Sequence, residues 1–171
     1  MKKVIVINSS INGEDSATLK MTNAFIDGMK DHIDCIVEYI HLKHYDINLC
    51  TGCLVCWRET PGKCCIKDDM ASIIKKYKSA DFVIFNSCVH CYGTTALDRI
   101  FTERLLPVVE IKPVEGEASQ LDYIFKSNRP ANNKHIIIYS CASLNVKEMM
   151  KPITELYKHI YNNECIMLAG S

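Results

Sequence analysis

Between Leu49 and Met70 the chain reads LCTGCLVCWRETPGKCCIKDDM, and five of its ten cysteines fall there: Cys50, Cys53, Cys56, Cys64 and Cys65. The first three are spaced C-x2-C-x2-C, and Cys64 follows after seven residues. Thiols at that density in one loop support three kinds of chemistry. Four thiolates are the ligand set of an iron-sulfur cluster, four around one ion are a common zinc site, and unligated thiols can be free or redox-active. A further C-x2-C, Cys88 and Cys91, could form a redox disulfide, but replacement of larger side chains by small ones is the preferred reading. Cys35, Cys141 and Cys165 stand alone and read as small buried hydrophobes.

A second stretch with chemical capacity is Ser9-Ser10-Ile11-Asn12-Gly13-Glu14-Asp15-Ser16-Ala17-Thr18. It joins an apolar run to a helical pattern, and hydroxyls beside the free amides of a helix N-terminus suit a phosphate. An ordinary capped turn is the competing reading. The stretch has neither G-x-x-x-x-G-K-[ST] nor G-x-G-x-x-G, so neither a nucleoside triphosphatase nor a dinucleotide fold is indicated. His90, in another polar loop, is either a donor to a ligand or a solvated side chain.

The elements that must position these loops alternate regularly. Val4–Ile7, Cys35–Ile40, Phe82–Phe85, His135–Tyr139 and Cys165–Leu168 are short apolar runs of the kind buried on both faces of a parallel sheet. Between them lie helical patterns: Met21, Phe25 and Met29; Met70, Ile73, Ile74 and Tyr77 behind a cap at Asp68 or Asp69; Leu97, Ile100, Phe101 and Leu105, stopped or kinked at Pro107; and Val146, Met149, Met150, Ile153, Leu156, Tyr157 and Ile160 behind Asn145. Residues 108 to 134 are an irregular excursion of a length that is usually functional. The expected fold is α/β: a three-layer sandwich whose five-stranded parallel sheet has the order 2-1-3-4-5. The fifth strand has no helix after it, leaving an apolar face that a partner or the excursion could cover. Ligands of such sheets bind beyond the carboxyl ends of the strands, which gathers Asn8–Ser16, Ser87–Thr95, Ser140–Asn145 and the cysteine loop on one rim.

At 171 residues the chain is expected to form a single domain spanning 1–171. Its 20 basic and 20 acidic residues balance, so no nucleic-acid partner is indicated. The apolar run after Met1-Lys2-Lys3 is too short for a signal-peptide core, and none approaches the roughly 20 residues of a membrane helix. A cytoplasmic location is expected, where thiols stay reduced.

The pieces S-S-x-N…S-x-T, G-K-C-x-I-K-D-D-M and C-V-H-C-Y-G-T-T-A-L-x-R-x-F-T-E-R-L-L-P resemble the NAD(P)H-dependent FMN reductase family, of flavodoxin-like fold, from Lys3 to Leu168. The resemblance implies an FMN-binding domain. It would pass hydride or electrons from NAD(P)H to a quinone, a flavin or another small acceptor, with no catalytic acid–base dyad required. It assigns the FMN phosphate to Ser9, Ser10, Asn12, Ser16, Ala17 and Thr18. The flavin ring falls to Val89, His90, Cys91, Tyr92 and Gly93, with Cys141, Ala142 and Ser143 on its far side. It also implies a homodimer, with Trp57 and the 108–134 excursion as candidate contacts.

The chain departs from the family pattern in two places. Ser9-Ser10-Ile11-Asn12 stands where Gly-Ser-Pro-Arg is usual, without the arginine, and Cys88-Val89-His90-Cys91 stands where Pro-Val-Tyr-Trp is usual. Both bear on FMN affinity rather than on fold. The cysteine spacing is similar to that of the iron-sulfur flavoproteins, a branch in which Cys50, Cys53, Cys56 and Cys64 would hold a [4Fe-4S] cluster supplied with electrons by ferredoxin. The C-W and P-G-K-C pieces resemble relatives without a cluster more closely, which ranks free or redox-active thiols first, the cluster second and zinc third. A degenerate flavin-binding or sensor module is the non-enzymatic alternative.

Overall fold

Val4, Val6, Ile5 and Ile7 are wholly buried, and they face opposite ways. Val4 and Val6 join one apolar layer with Leu19, Ile26, Ile84, Ile136 and Ile138. Ile5 and Ile7 join the other with Met70, Ile73, Tyr77, Phe85, Phe101 and Ile153. Successive side chains of a strand point to opposite faces, so a continuous apolar run needs cover on both sides. The structure, a computed structural model, describes residues 1–109, 133–161 and 165–170, and the side chain of Cys165 is not among the described ones.

The strands are β1 (Lys2–Asn8), β2 (Cys35–His41), β3 (Phe82–Cys88), β4 (Lys134–Ser140) and β5 (Cys165–Gly170). All pairings are parallel, in the order β2-β1-β3-β4-β5. The helices are α1 (Ala17–Lys30), the single turn α2 (Val55–Arg58), α3 (Met70–Ser79), α4 (Ala96–Glu103) and α5 (Val146–Ile160). The architecture is the expected flavodoxin-like one. The excursion lies largely outside the described residues.

Periodicity located the buried faces well for α3, where Met70, Ile73, Ile74 and Tyr77 are all buried. In α1 it erred by one position. Thr18, Leu19, Thr22 and Ile26 are buried, while Met21, Phe25 and Met29 only flank that layer. Two threonines hide the true face from a reading that counts apolar residues. In α5, Leu156 is exposed beside the buried Met150, Ile153 and Tyr157. Pro107 lies beyond the end of α4, in a short 3-10 turn (Leu106–Val108).

On β5, Ile166 and Leu168 are 57% and 36% exposed. They pair with Ile136 and Ile138, so they lie on the face that α1 covers further in. Met167, on the opposite face, packs against the other layer. One face of the last strand is open among the described residues.

Candidate functional site

The loops after β1, β3 and β4 meet on one rim and are tied to each other. Ser16 caps α1, its Oγ accepting from the Leu19 amide at 3.0 Å. Two residues later, the Thr18 hydroxyl meets the Ser140 hydroxyl at the end of β4, 2.5 Å away. Thr95 caps α4 by accepting from the Asp98 amide at 3.3 Å, and its Oγ1 donates to the Ser9 carbonyl at 3.0 Å. The Val89 amide donates to the Ser140 carbonyl at 2.8 Å. The leading amides of α1 have no acceptor inside the helix, and they open onto this rim with the positive end of the helix dipole.

Beneath the rim lies a buried polar lattice. Asn8 and Asn86, paired across β1 and β3, are linked by Asn86 Nδ2 donating to Asn8 Oδ1 at 2.7 Å. Thr22 donates to Asn86 at 2.7 Å, and Asn8 Nδ2 donates to the Gly13 carbonyl at 2.8 Å, which fixes the bend of the first loop. Asp98 is 1% exposed and accepts from the Tyr157 hydroxyl at 2.9 Å, and Tyr157 also meets Tyr139 at 2.9 Å. Burial pushes the Asp98 carboxyl up, partly opposed by hydrogen bonds from Tyr157, Tyr139, Thr94 and Ser9. Such a lattice is stable only when its members are satisfied, and it then holds the loops above it in one geometry.

The expected ligand residues divide accordingly. Asn12 and Ala17 are exposed on the rim, while Ser10, Ser16 and Thr18 are buried within it. Ser9, expected among the phosphate contacts, is wholly buried: its amide and hydroxyl both donate to the Asn86 carbonyl, at 3.0 and 3.3 Å, and its carbonyl accepts from Thr95, so it offers a phosphate no free donor. Val89 is half-buried. His90 and Gly93 exchange backbone hydrogen bonds of 2.9 and 2.8 Å around Cys91 and Tyr92. Both central residues are left-handed, with φ of 49° and 60°. Two non-glycine residues in that region store strain of order 1 kcal/mol or more each, which is characteristic of turns shaped for contact. Tyr92, 62% exposed, is the aromatic surface of that turn. Cys141 is buried with its amide on the Gly170 carbonyl, Ala142 is exposed and Ser143 is half-buried.

Lys43, after β2, lies across Gly13 so closely that a Cβ there would fall 2.2 Å from its Cε. Its ammonium pairs with Glu14 at 3.1 Å. Backbone and side-chain hydrogen bonds, from Lys43 and then His44, hold the Glu14 carboxyl down at about 2.

The cysteine loop forms a second pocket. Cys50, Cys53, Cys56, Cys64 and Cys65 line it together with Arg104, Leu106 and Pro107. Cys56 is buried, Cys50 and Cys64 are half-buried, and Cys53 and Cys65 are exposed with sulfurs 3.7 Å apart. Burial, reinforced by the neighbouring thiols, pushes Cys56 up to about 11. Cys53 is lowered by hydrogen bonds from the Val55 amide and then from the Thr51 hydroxyl. Arg104 is 1% exposed and grips Asp68 through two bonds of 2.6 and 3.0 Å. It also donates to the Asn48 carbonyl at 2.7 Å. Its Nε is buried without a hydrogen-bond partner, and the Cys64 thiol lies beside the guanidinium. Among the described residues no group of three or more His, Cys, Asp or Glu side chains is arranged to hold a single metal ion. Trp57 is engaged internally, its Nε1 donating to the Leu106 carbonyl at 2.9 Å.

Sequence reasoning placed Asp68 as a cap, which accepts from the Met70 amide at 3.1 Å, and Tyr139 and Tyr157 as core residues, but missed their other polar partners. It missed Asp98 and Arg104 altogether: Asp98 sits in α4 and Arg104 just past its end, where a charged side chain in the inward register was the available signal.

Comparison with known proteins gives the family and the fold. A family model described as NADPH-dependent FMN reductase matches residues 2–155. An iron-sulfur flavoprotein of Methanocaldococcus jannaschii is 36% identical over 106 residues, 62% of this chain and 53% of that protein. One of Clostridioides difficile is 27% identical over 165 residues, 89% of this chain and 71% of that protein. The chain spans about half the length or less of three curated relatives, at 53%, 36% and 48%. Among solved structures, an FMN-dependent NADH-azoreductase of Bacillus anthracis in complex with FMN superposes with a TM-score of 0.69 at 12% identity, over 99% of this chain and 86% of that one. An NAD(P)H:quinone oxidoreductase of Methanothermobacter marburgensis gives 0.66 at 12% identity, over 99% and 83%. At such identities the structural likeness speaks to the fold.

Proposed function

The chain belongs to the NADPH-dependent FMN reductase family, and from that premise we propose that it is an FMN-dependent oxidoreductase taking electrons from NAD(P)H to a small acceptor such as a quinone or a flavin. The observation that carries this reading is the rim itself: three loops from β1, β3 and β4 locked to each other around the N-terminus of α1. The residues there fit the cofactor. Ser10, Ser16 and Thr18 with the leading amides of α1 would hold the phosphate. The turn His90–Gly93 and the segment Cys141–Ser143 would flank the ring. When bound, FMN supplies the hydride chemistry. The chain's own part is orientation: the buried Asn8–Asn86 and Asp98–Tyr157 lattice holds the loops, and Tyr92 offers an aromatic face. His90, exposed in the turn, would donate to flavin or substrate. No helix among the described residues is long and apolar enough to cross a membrane.

The test is a visible spectrum of protein purified without oxygen, followed by FMN titration and NAD(P)H oxidation. The reading expects a yellow, one-to-one complex that oxidises NAD(P)H in the presence of a quinone. Colourless protein that takes up no FMN would leave only a degenerate, non-enzymatic module.

A second reading adds a [4Fe-4S] cluster on Cys50, Cys53, Cys56 and Cys64, with ferredoxin as electron donor. Two observations favour it. The pocket gathers all five thiols of the loop, and it exposes to them a buried guanidinium whose Nε has no partner. A cluster ligated by four thiolates carries net negative charge, which suits such a cation. A cluster also needs one thiolate per iron rather than four around one ion. The named relatives of Methanocaldococcus and Clostridioides, iron-sulfur flavoproteins by name, point the same way. Iron and sulfide assays after anaerobic reconstitution decide it: about four irons per chain is the expected value. We also propose a homodimer, supported by the open face of β5.

A further inference from the structure

We propose that Cys53 and Cys65 form a thiol-oxidation site, closing into a reversible disulfide within the cysteine loop on exposure to a peroxide. Their sulfurs are 3.7 Å apart, and both thiols are exposed, whereas Cys56 is buried and Cys50 and Cys64 are half-buried. A disulfide needs its sulfurs at about 2.05 Å, so the pair must close by roughly 1.7 Å. Gly52 has a φ of +66°, and the space where its side chain would project is open. Cys65 is the one thiol of the loop outside the four-cysteine ligand set, so a pair that joins the two is not explained by that set.

The step balances as follows. The Cys53 sulfur attacks a peroxide oxygen, the O–O bond breaks, and the hydroxide released takes the thiol proton and leaves as water. Cys53 is then a sulfenic acid. The Cys65 sulfur attacks it, the S–S bond forms as the S–O bond breaks, and a second water leaves with the Cys65 proton. Two thiols lose two electrons, which reduce hydrogen peroxide to two waters, and a dithiol reductant reverses the change by thiol–disulfide exchange. The disulfide rests on thiol geometry alone. Its consequence, that an oxidised loop lacks Cys53 for a cluster, rests on the cluster reading.

The test uses the full chain, reduced and freed of metal with a chelator, then treated with one equivalent of hydrogen peroxide. The expected product has lost two hydrogens in intact mass and two free thiols, and regains both with dithiothreitol. Fragmentation of the linked peptides should join Cys53 to Cys65. Cys64→Ser should form the same bond, and Cys65→Ser should stop at a sulfenic acid on Cys53 that dimedone traps. A bond mapped to any other pair, an undiminished disulfide yield in Cys65→Ser, or no loss of thiols would overturn the proposal. Iron reconstitution of the reduced chain keeps the readings apart: a chain that forms the bond yet takes no iron upholds the disulfide and removes the cluster alone.

Discussion

Cys53 and Cys56 sit three positions apart and differ in what governs a thiol. Cys53 is exposed, with donors that favour its thiolate, while Cys56 is buried and raised to about 11. Iodoacetamide at pH 8 should therefore modify Cys53 early and Cys56 last in the metal-free protein, read by peptide mass over time. Asp68 makes the other residue-scale prediction. Burial alone would raise its carboxyl, but Arg104 and the amides of Asn48 and Met70 outweigh that and hold it at about 2. Its folded value lies below its unfolded value, so the pair stabilises the protein at and above about pH 4, by roughly 2–3 kcal/mol, and loses that as pH falls toward 2. The urea midpoint should drop over that window. Asp68→Asn should lower stability at pH 7 by about 3–5 kcal/mol, since it leaves a buried guanidinium unpaired, and should flatten the fall in acid.

At the scale of elements, α4 depends on Thr95, which both caps it and ties its start to Ser9. Thr95→Ala should cost about 1–2 kcal/mol by urea unfolding and weaken FMN binding in the same protein, because the first loop loses its brace. The strands and most helices were legible because they obey simple periods: buried β-branched runs, and apolar residues every three or four positions. What escaped the pattern was polar and inward. Thr22 on the buried face of α1, Asp98 on α4, Arg104 just past its end, and the Asn8–Asn86 pair each look like solvent-facing residues until their partners are known. Those partners lie far along the chain, and no local spacing encodes them. The rim was legible in outline, since strand order alone gathers its loops. The inward turn of Ser9 and the strained turn at Cys91 and Tyr92 were not.

For the whole molecule, the sheet has unequal cover. Ile136 is buried and its partner on the neighbouring strand, Ile166, is more than half exposed. Ile136→Ala should cost about 2–5 kcal/mol, whereas Ile166→Lys should change the stability of the isolated chain by less than about 0.5 kcal/mol. If the open face seats a second copy, Ile166→Lys should also halve the mass measured by light scattering. An unchanged mass would remove β5 from the proposed interface.

The helix α4 begins at the rim and ends at the cysteine pocket: Thr95 touches the first loop, and Arg104, one residue past its last turn, lines the second site. Eight residues of helix span about 12 Å. If the rim holds a flavin and the cysteine pocket a cluster, as proposed above, α4 is a spacer of fixed length between them. Tunnelling falls off exponentially with distance, so its rate across such a gap would be set by the length that the helix maintains. A substitution that frays this one helix would then change how fast the two centres exchange charge, even if each kept its own ligand and its own potential.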